Sequence, residues 1–186
     1  LELQRSNYVF LFWSMDVFNW LKGLVSKDVL IELTEAKITI KSFGDKTCIE
    51  YEPVLALVDE PTQTRIKAIG REAMGLQGDG VRLVNPFSHP RMFVASFELA
   101  EKLLQYGISQ LHTSGFRATP RVIVHQLEKT EGGLTDIEDR VLRELAMGAG
   151  AREVVIYLGP RLNTDLDTFD ELKSRLETQK IAKKLI

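Results

Sequence analysis

The amino-acid sequence predicts an α/β protein built on a mixed sheet with flanking helices. Three observations predict it. Short β-branched runs crowd the first third of the chain, two helix–strand units follow them, and no internal repeat or low-complexity tract intervenes. At 186 residues the chain is long enough to bury a sizeable core within one domain.

VLIEL (29–33) and KITIK (37–41) read as short strands around a three-residue turn, Thr34-Glu35-Ala36. TCIEY (47–51), VLALV (54–58) and RIKAI (65–69) add further strands, separated by Glu52-Pro53 and by EPTQT, so the first third reads as a β-meander. Ser96 stands where it can cap a helix running to about residue 112, with Ala100, Leu103, Leu104, Gly107, Ile108 and Leu111 as its core stripe. RVIVHQL (121–127) follows Pro120 as a buried strand. Thr135 with Glu138 forms a capping box that opens a helix from Asp136 to about Met147, and Gly148 and Gly150 end it. EVVIYL (153–158) is the next strand, halted at Gly159-Pro160. DELKSRLETQKIAKKL (170–185) reads as a charged, solvent-facing helix.

Composition narrows the function classes. Hydrophobic residues make up 44% and charged residues 27%, and 24 Lys plus Arg against 26 Asp plus Glu leave a net charge of −2. A generally basic nucleic-acid surface is therefore not indicated. The single Cys48 excludes an internal disulfide and fits a reducing compartment; between Thr47 and Ile49 it reads as a buried, inert strand thiol. His89, His112 and His125 stand far apart without a second ligand at metal spacing, so no zinc site is expected.

The N-terminus divides at Met15, which reads as a native start and makes residues 1–14 an extension. YVFLFW (8–13) is too short for a secretory core, and a spanning helix extended to Val25 would bury Asp16 and Lys22 at roughly 3 kcal/mol each. Residues 15–27 form an amphipathic helix in which Val17, Phe18, Leu21, Leu24 and Val25 share one stripe, flanked by Trp20. Two readings are open from periodicity: a helix packed on its own domain, or one lying in a membrane interface with lysines near anionic lipid.

Four segments then acquire a common source. SKDVLIEL (26–33), EPVLALV (52–58), AIGREA (68–73) and GLTDIEDRVLRELAMGAGAREV (133–154) resemble, in order and at nearly constant spacing, segments of the bacterial actin MreB family. The family forms are F-S-N-D-L-S-I-D-L-G, N-E-P-S-V-V-A-I, A-V-G-x-x-A and G-A-T-x-V-E-R-R-A-I-R-E-x-A-x-x-A-G-A-R-E-V. VRLVNPFSHPRMFVASFELAEKLLQY (81–106) is similar to a further family segment, so the resemblance runs from about Met15 to Pro160. It implies the first half of an actin-like (ribonuclease H-like) ATPase fold over residues 28–160, with a small inserted subdomain and a helical tail at 161–186. It favours the membrane reading of the N-terminal helix, because proteobacterial relatives begin with a membrane-binding one.

Against that pattern the chemistry is altered. The family's D-L-G-T-A-N-T phosphate loop is here Glu32-Leu33-Thr34-Glu35-Ala36-Lys37-Ile38. Thr34 replaces the glycine that lets backbone amides approach a phosphate, and Glu35 adds repulsive charge. Glu32 keeps a carboxylate of the kind that holds a metal-bound water, and Lys37 is long enough to reach a phosphate. The family's strand-end L-I-E-E-P, whose glutamates position the hydrolytic water, is here Tyr157-Leu158-Gly159-Pro160; leucine and glycine neither orient nor deprotonate water. The loop VHQLEKTEGGLT (124–135) is longer and more acidic than its counterpart, and the family's second half, with its own phosphate loop, is expected to be missing beyond Ile186.

The resemblance therefore implies a non-catalytic MreB-like protein, without ATP, magnesium or another metal, acting in cell-shape organisation. Its implied partners are MreB-like filaments or their cell-shape partners and the inner-membrane surface, with no nucleic acid. Its implied location is the cytoplasm, peripheral at the inner face of the cytoplasmic membrane. Two alternatives stay open: half of a split nucleotide-dependent ATPase completed by another chain, and a decaying paralogue without a present role.

Overall fold

The structure, a computed structural model, describes residues 27–76, 78–111 and 119–184. Among the described residues five strands come first and helices and strands alternate after them: β1 (Asp28–Leu33), β2 (Ile38–Ser42), β3 (Cys48–Tyr51), β4 (Leu55–Asp59), β5 (Thr64–Ile69), α1 (Arg71–Gly75), β6 (Val81–Val84), α2 (Phe97–Gln110), β7 (Arg121–Gln126), α3 (Asp136–Gly148), β8 (Glu153–Tyr157) and α4 (Phe169–Lys184).

The central sheet has five strands in the order β3-β2-β1-β7-β8. β1, β7 and β8 are parallel, while β2 is antiparallel to β1 and β3 to β2. This is the mixed sheet expected from strands followed by helix–strand units, and its five segments match the predicted runs within about a residue. The meander, however, does not continue. β4 leaves the central sheet and pairs with β5 and β6 in a separate antiparallel sheet, β5-β4-β6. Glu52-Pro53 falls at the break, where proline has no N–H to extend a ladder. β6 and the five-residue α1 go unanticipated, because runs so short carry no readable period.

Alternation along the strands builds two layers. Val29, Ile31 and Leu33 of β1 join Val122 and Val124 of β7 and the stripes of α2 and α3 in the main core. The predicted α2 stripe is buried throughout, from Ala100 to Leu111. Leu30 and Ile123 point to the opposite face, where Phe169 and Leu172 of α4 cover them together with Leu162 and Tyr157. The expectation of a wholly solvent-facing last helix is thus corrected at its start. Arg121 fixes that end: it donates to Asp28 twice at 2.7 Å and to Asp170 at 2.7 and 3.2 Å, and lies 4.3 Å over the Phe169 ring.

The helix termini follow local chemistry. Thr135 and Glu138 form the predicted capping box. Ser96 occupies the N-cap of α2 but makes no side-chain cap bond. At the end of α3, Ala151 N–H donates to Ala146 O at 3.0 Å and Gly150 N–H to Met147 O at 2.9 Å, the paired bonds of a Schellman motif. Gly150 sits at φ 107°, where a side chain would be strained. Cys48, expected inside, is exposed. It starts the edge strand on the face that carries Lys41, away from the main core. Among the described residues no helix is long and apolar enough to cross a membrane.

Candidate functional site

Parallel strands of an open α/β sheet present their ligand crevice at the carboxyl ends. Near that end of β1, β7 and β8, register places one residue from each of the five strands in a single row: Glu50, Thr39, Glu32, His125 and Tyr157. The row lies on the α4 face of the sheet.

Glu32 is its centre, with a side chain only 3% exposed. Its Oε2 accepts from Lys41 Nζ at 2.9 Å and its Oε1 from Arg161 Nη1 at 3.3 Å. The β1–β2 register brings in Lys41, and the segment after β8 brings in Arg161. A carboxylate this deeply buried needs such counter-charge, because losing its hydration uncompensated costs far more than one hydrogen bond returns.

Lys37 does not stand free. Its Nζ donates to Glu50 Oε1 at 2.9 Å, and Thr39 Oγ1 donates to the same oxygen at 3.2 Å. The Lys37 hydrogen bond is the main influence holding the Glu50 carboxyl below its ordinary range. Thr34 closes the β1–β2 turn on itself, its hydroxyl donating to Lys37 O at 2.8 Å and accepting from Lys37 N–H at 2.9 Å.

Glu35 ties this turn to two other loops. Its N–H donates to Glu128 Oε2 at 2.7 Å, and its carbonyl accepts from Asn85 Nδ2 at 2.8 Å. Its carboxylate accepts from Ser88 Oγ at 2.6 Å and Lys129 Nζ at 3.3 Å. The Ser88 hydroxyl, then Lys129, keeps the Glu35 carboxyl below the usual carboxylate range.

His125 is 1% exposed. Its Nε2 lies 3.0 Å from Gly159 O, and its ring meets Tyr157 edge to face at 4.8 Å. A proton on Nε2 makes the carbonyl its acceptor and leaves Nδ1 bare; among the described residues Nδ1 is buried with no hydrogen-bond partner. Burial pushes the imidazole pKa down, partly offset by the Gly159 carbonyl and the Glu32 charge. Leu158, next in the chain, is exposed. A Cβ on Gly159 would lie 2.5 Å from Tyr157 Oη, so the Tyr157 ring would have to shift to admit one.

Of the residues singled out in the sequence, Glu32, Thr34 and Lys37 all lie at this sheet end, each already engaged by the protein. Val17, Phe18, Trp20, Leu21, Leu24 and Val25 lie outside the described residues. The sequence reading missed Lys41, Arg161, Glu128 and His125 as neighbours of the turn. Only the lengthened acidic loop gave a signal, for Glu128; nothing in the spacing pointed to Arg161.

A five-stranded mixed sheet flanked by helices, with a small antiparallel sheet inserted after its third strand, is the first half of an actin-like fold. The chain belongs to the MreB/Mbl family: the sequence model described as MreB/Mbl protein matches residues 26–162. It is 34% identical over 150 residues to the cell shape-determining protein MreB of Pasteurella multocida (strain Pm70), covering 77% of this chain and 41% of that one. MreB 5 of Spiroplasma citri bound to AMPPNP superposes with a TM-score of 0.58 at 19% identity, over 72% of this chain and 39% of that structure. The MamK double helical filament superposes at 0.52 and 10% identity, over 71% and 41% of the two chains. The chain spans about two fifths of the length of these relatives.

Proposed function

We propose that this chain is a non-catalytic, MreB-like component of the bacterial cell-shape system that works by contact with proteins and with a membrane surface. The observation carrying this reading is the double ion pair on Glu32. A magnesium-bound nucleotide does not fit the residues present. Both oxygens of the carboxylate that would hold the metal's water are taken by Lys41 and Arg161, and cations there repel a metal ion. The turn that would cradle phosphate is filled by the Thr34 hydroxyl, and the strand end offers Tyr157, Leu158 and Gly159 in place of carboxylates.

Partner contact is then the function left to the fold. The Pasteurella relative is named for cell shape, and MamK is seen as a double helical filament. Contact with a filament of MreB-like subunits, or with a cell-shape partner, is the role this half of the fold supports. The stripe Val17, Phe18, Leu21, Leu24 and Val25, with Trp20 beside it, supplies the membrane contact, at the cytoplasmic face.

Titration calorimetry of the chain with ATP and magnesium tests the reading. The expected result is no affinity tighter than about millimolar, some 4 kcal/mol of binding free energy. Micromolar affinity, or hydrolysis that Glu32→Gln abolishes, would overturn it.

A further inference from the structure

β8 is the outer strand of the central sheet and pairs with β7 alone. Arg121 N–H donates to Lys27 O, so the odd-numbered residues of β7 turn their backbone groups to β1, and Val122 and Val124 turn theirs to β8. Their register partners are Val154 and Ile156. In a parallel pair, the residue opposite a bonded one carries its own N–H and C=O on the far side. Val154 and Ile156 therefore present their backbone groups at the open edge. Arg143 Nη1 closes one of these groups, donating to Val154 O at 2.8 Å, and is itself held by Asp139 at 2.8 and 3.1 Å. Ile156 N–H and C=O have no hydrogen-bond partner among the described residues.

This edge is the floor of a groove. One hollow runs along β8 from Glu153, a larger one of about 450 Å³ lies at its end, and the two share Ile156 and Leu176. α3 makes one wall and α4 the other. The strand is apolar after Glu153 and carries neither the proline nor the lysine that blunts an edge against pairing. The walls are not neutral. Arg143 is engaged by Asp139 and Lys173 by Glu153. That leaves Asp136 on one wall and Glu177 on the other, neither with an ion pair among the described residues. Surplus negative charge beside an open ladder suits a cationic strand. It does not suit a second copy of the chain, because pairing β8 with itself would double the surplus carboxylates along the same groove.

We propose that the open edge of β8 receives an added strand from a partner protein, an extended segment with apolar residues at its centre and lysine or arginine at its ends. Its backbone pairs with Ile156, its apolar side chains meet Ile156 and Leu176, and its cations meet Asp136 and Glu177. This deepens the reading of the chain as a contact protein and rests on it.

The test sets the full chain against an end-blocked peptide of alternating valine and threonine with two lysines at each end, and against the same peptide with glutamates in their place. The lysine peptide should slow hydrogen exchange at the Ile156 amide. The glutamate peptide should bind about three- to tenfold more weakly, the difference made by two exposed ion pairs. Asp136→Lys with Glu177→Lys changes only exposed positions, so the double variant should fold and reverse that preference. Equal binding of the two peptides to wild type, binding of neither, or binding that leaves exchange at Ile156 unchanged would overturn the inference. So would an Ile156 amide already protected in the free chain; protection that grows with protein concentration would assign the edge to a second copy instead. The non-catalytic reading is judged apart from this, by ATP affinity of the wild-type chain.

Discussion

Glu32 and Lys41 are diagonal neighbours across β1 and β2: Thr39 is the register partner of Glu32, and Lys41 lies two residues beyond it on the same face. That diagonal brings Nζ to 2.9 Å from Oε2, within reach of a long side chain. The lysine is 29% exposed and the glutamate 3%, so the cost of breaking the pair falls on the carboxylate. Lys41→Met leaves a buried charge with Arg161 as its remaining counter-ion and should destabilise the fold by about 1–3 kcal/mol. Adding Glu32→Gln removes the stranded charge, so the double variant should lose clearly less than the sum of the singles. Urea unfolding of all four proteins measures the coupling; simple additivity would show that the pair does not act as one unit.

His125 predicts a pH dependence of known sign. Burial holds its pKa below the ordinary 6.5, so the folded chain refuses a proton that the unfolded chain accepts. Stability from the neutral ring is therefore complete above the unfolded value and is lost as pH falls from there through the folded value. Between about pH 7 and pH 5 the stability of wild type should fall more steeply than that of His125→Gln. Parallel curves for the two proteins would remove His125 from the account.

Gly107 lies where α2 crosses the sheet. Alanine there should gain about 1 kcal/mol in helix propensity. Its Cβ, however, would run into Tyr51 Oη and Ile40 Cδ1, and Tyr51 cannot swing away without breaking its 2.7 Å bond to Leu103 O. Overpacking of this kind costs about 1–3 kcal/mol and wins, so Gly107→Ala should lower the melting midpoint. Leu103→Ala and Leu145→Ala empty positions that are 0% exposed and should cost about 2–5 kcal/mol each in denaturant unfolding.

The membrane proposal turns on Phe18 and Leu21. If their stripe faces lipid, Phe18→Asp with Leu21→Asp should abolish co-sedimentation with anionic liposomes and leave the unfolding midpoint nearly unchanged. Sedimentation equal to wild type, together with a large loss of stability, would return the stripe to the protein core.

What the sequence alone determined was local or periodic. The strands around Thr34, the stripe from Ala100 to Leu111, the capping box at Thr135 and the stop at Gly150 depend on residues within a turn or two of each other, and all stand where periodicity and capping put them. The family was legible for the same reason: its longest matching segment is one continuous helix, turn and strand. The tertiary structure alone decided which side chains meet. Arg161 reaches Glu32 from 129 residues away, and Glu128 reaches the Glu35 amide from 93. The departure of β4 from the central sheet and the exposure of Cys48 were decided at the same level. Register across five strands and the layer that covers each face set those contacts, and neither is encoded in the spacing of any one segment. The altered residues Glu32, Thr34 and Lys37 could be named in the sequence, but the partners that hold them are supplied by the fold.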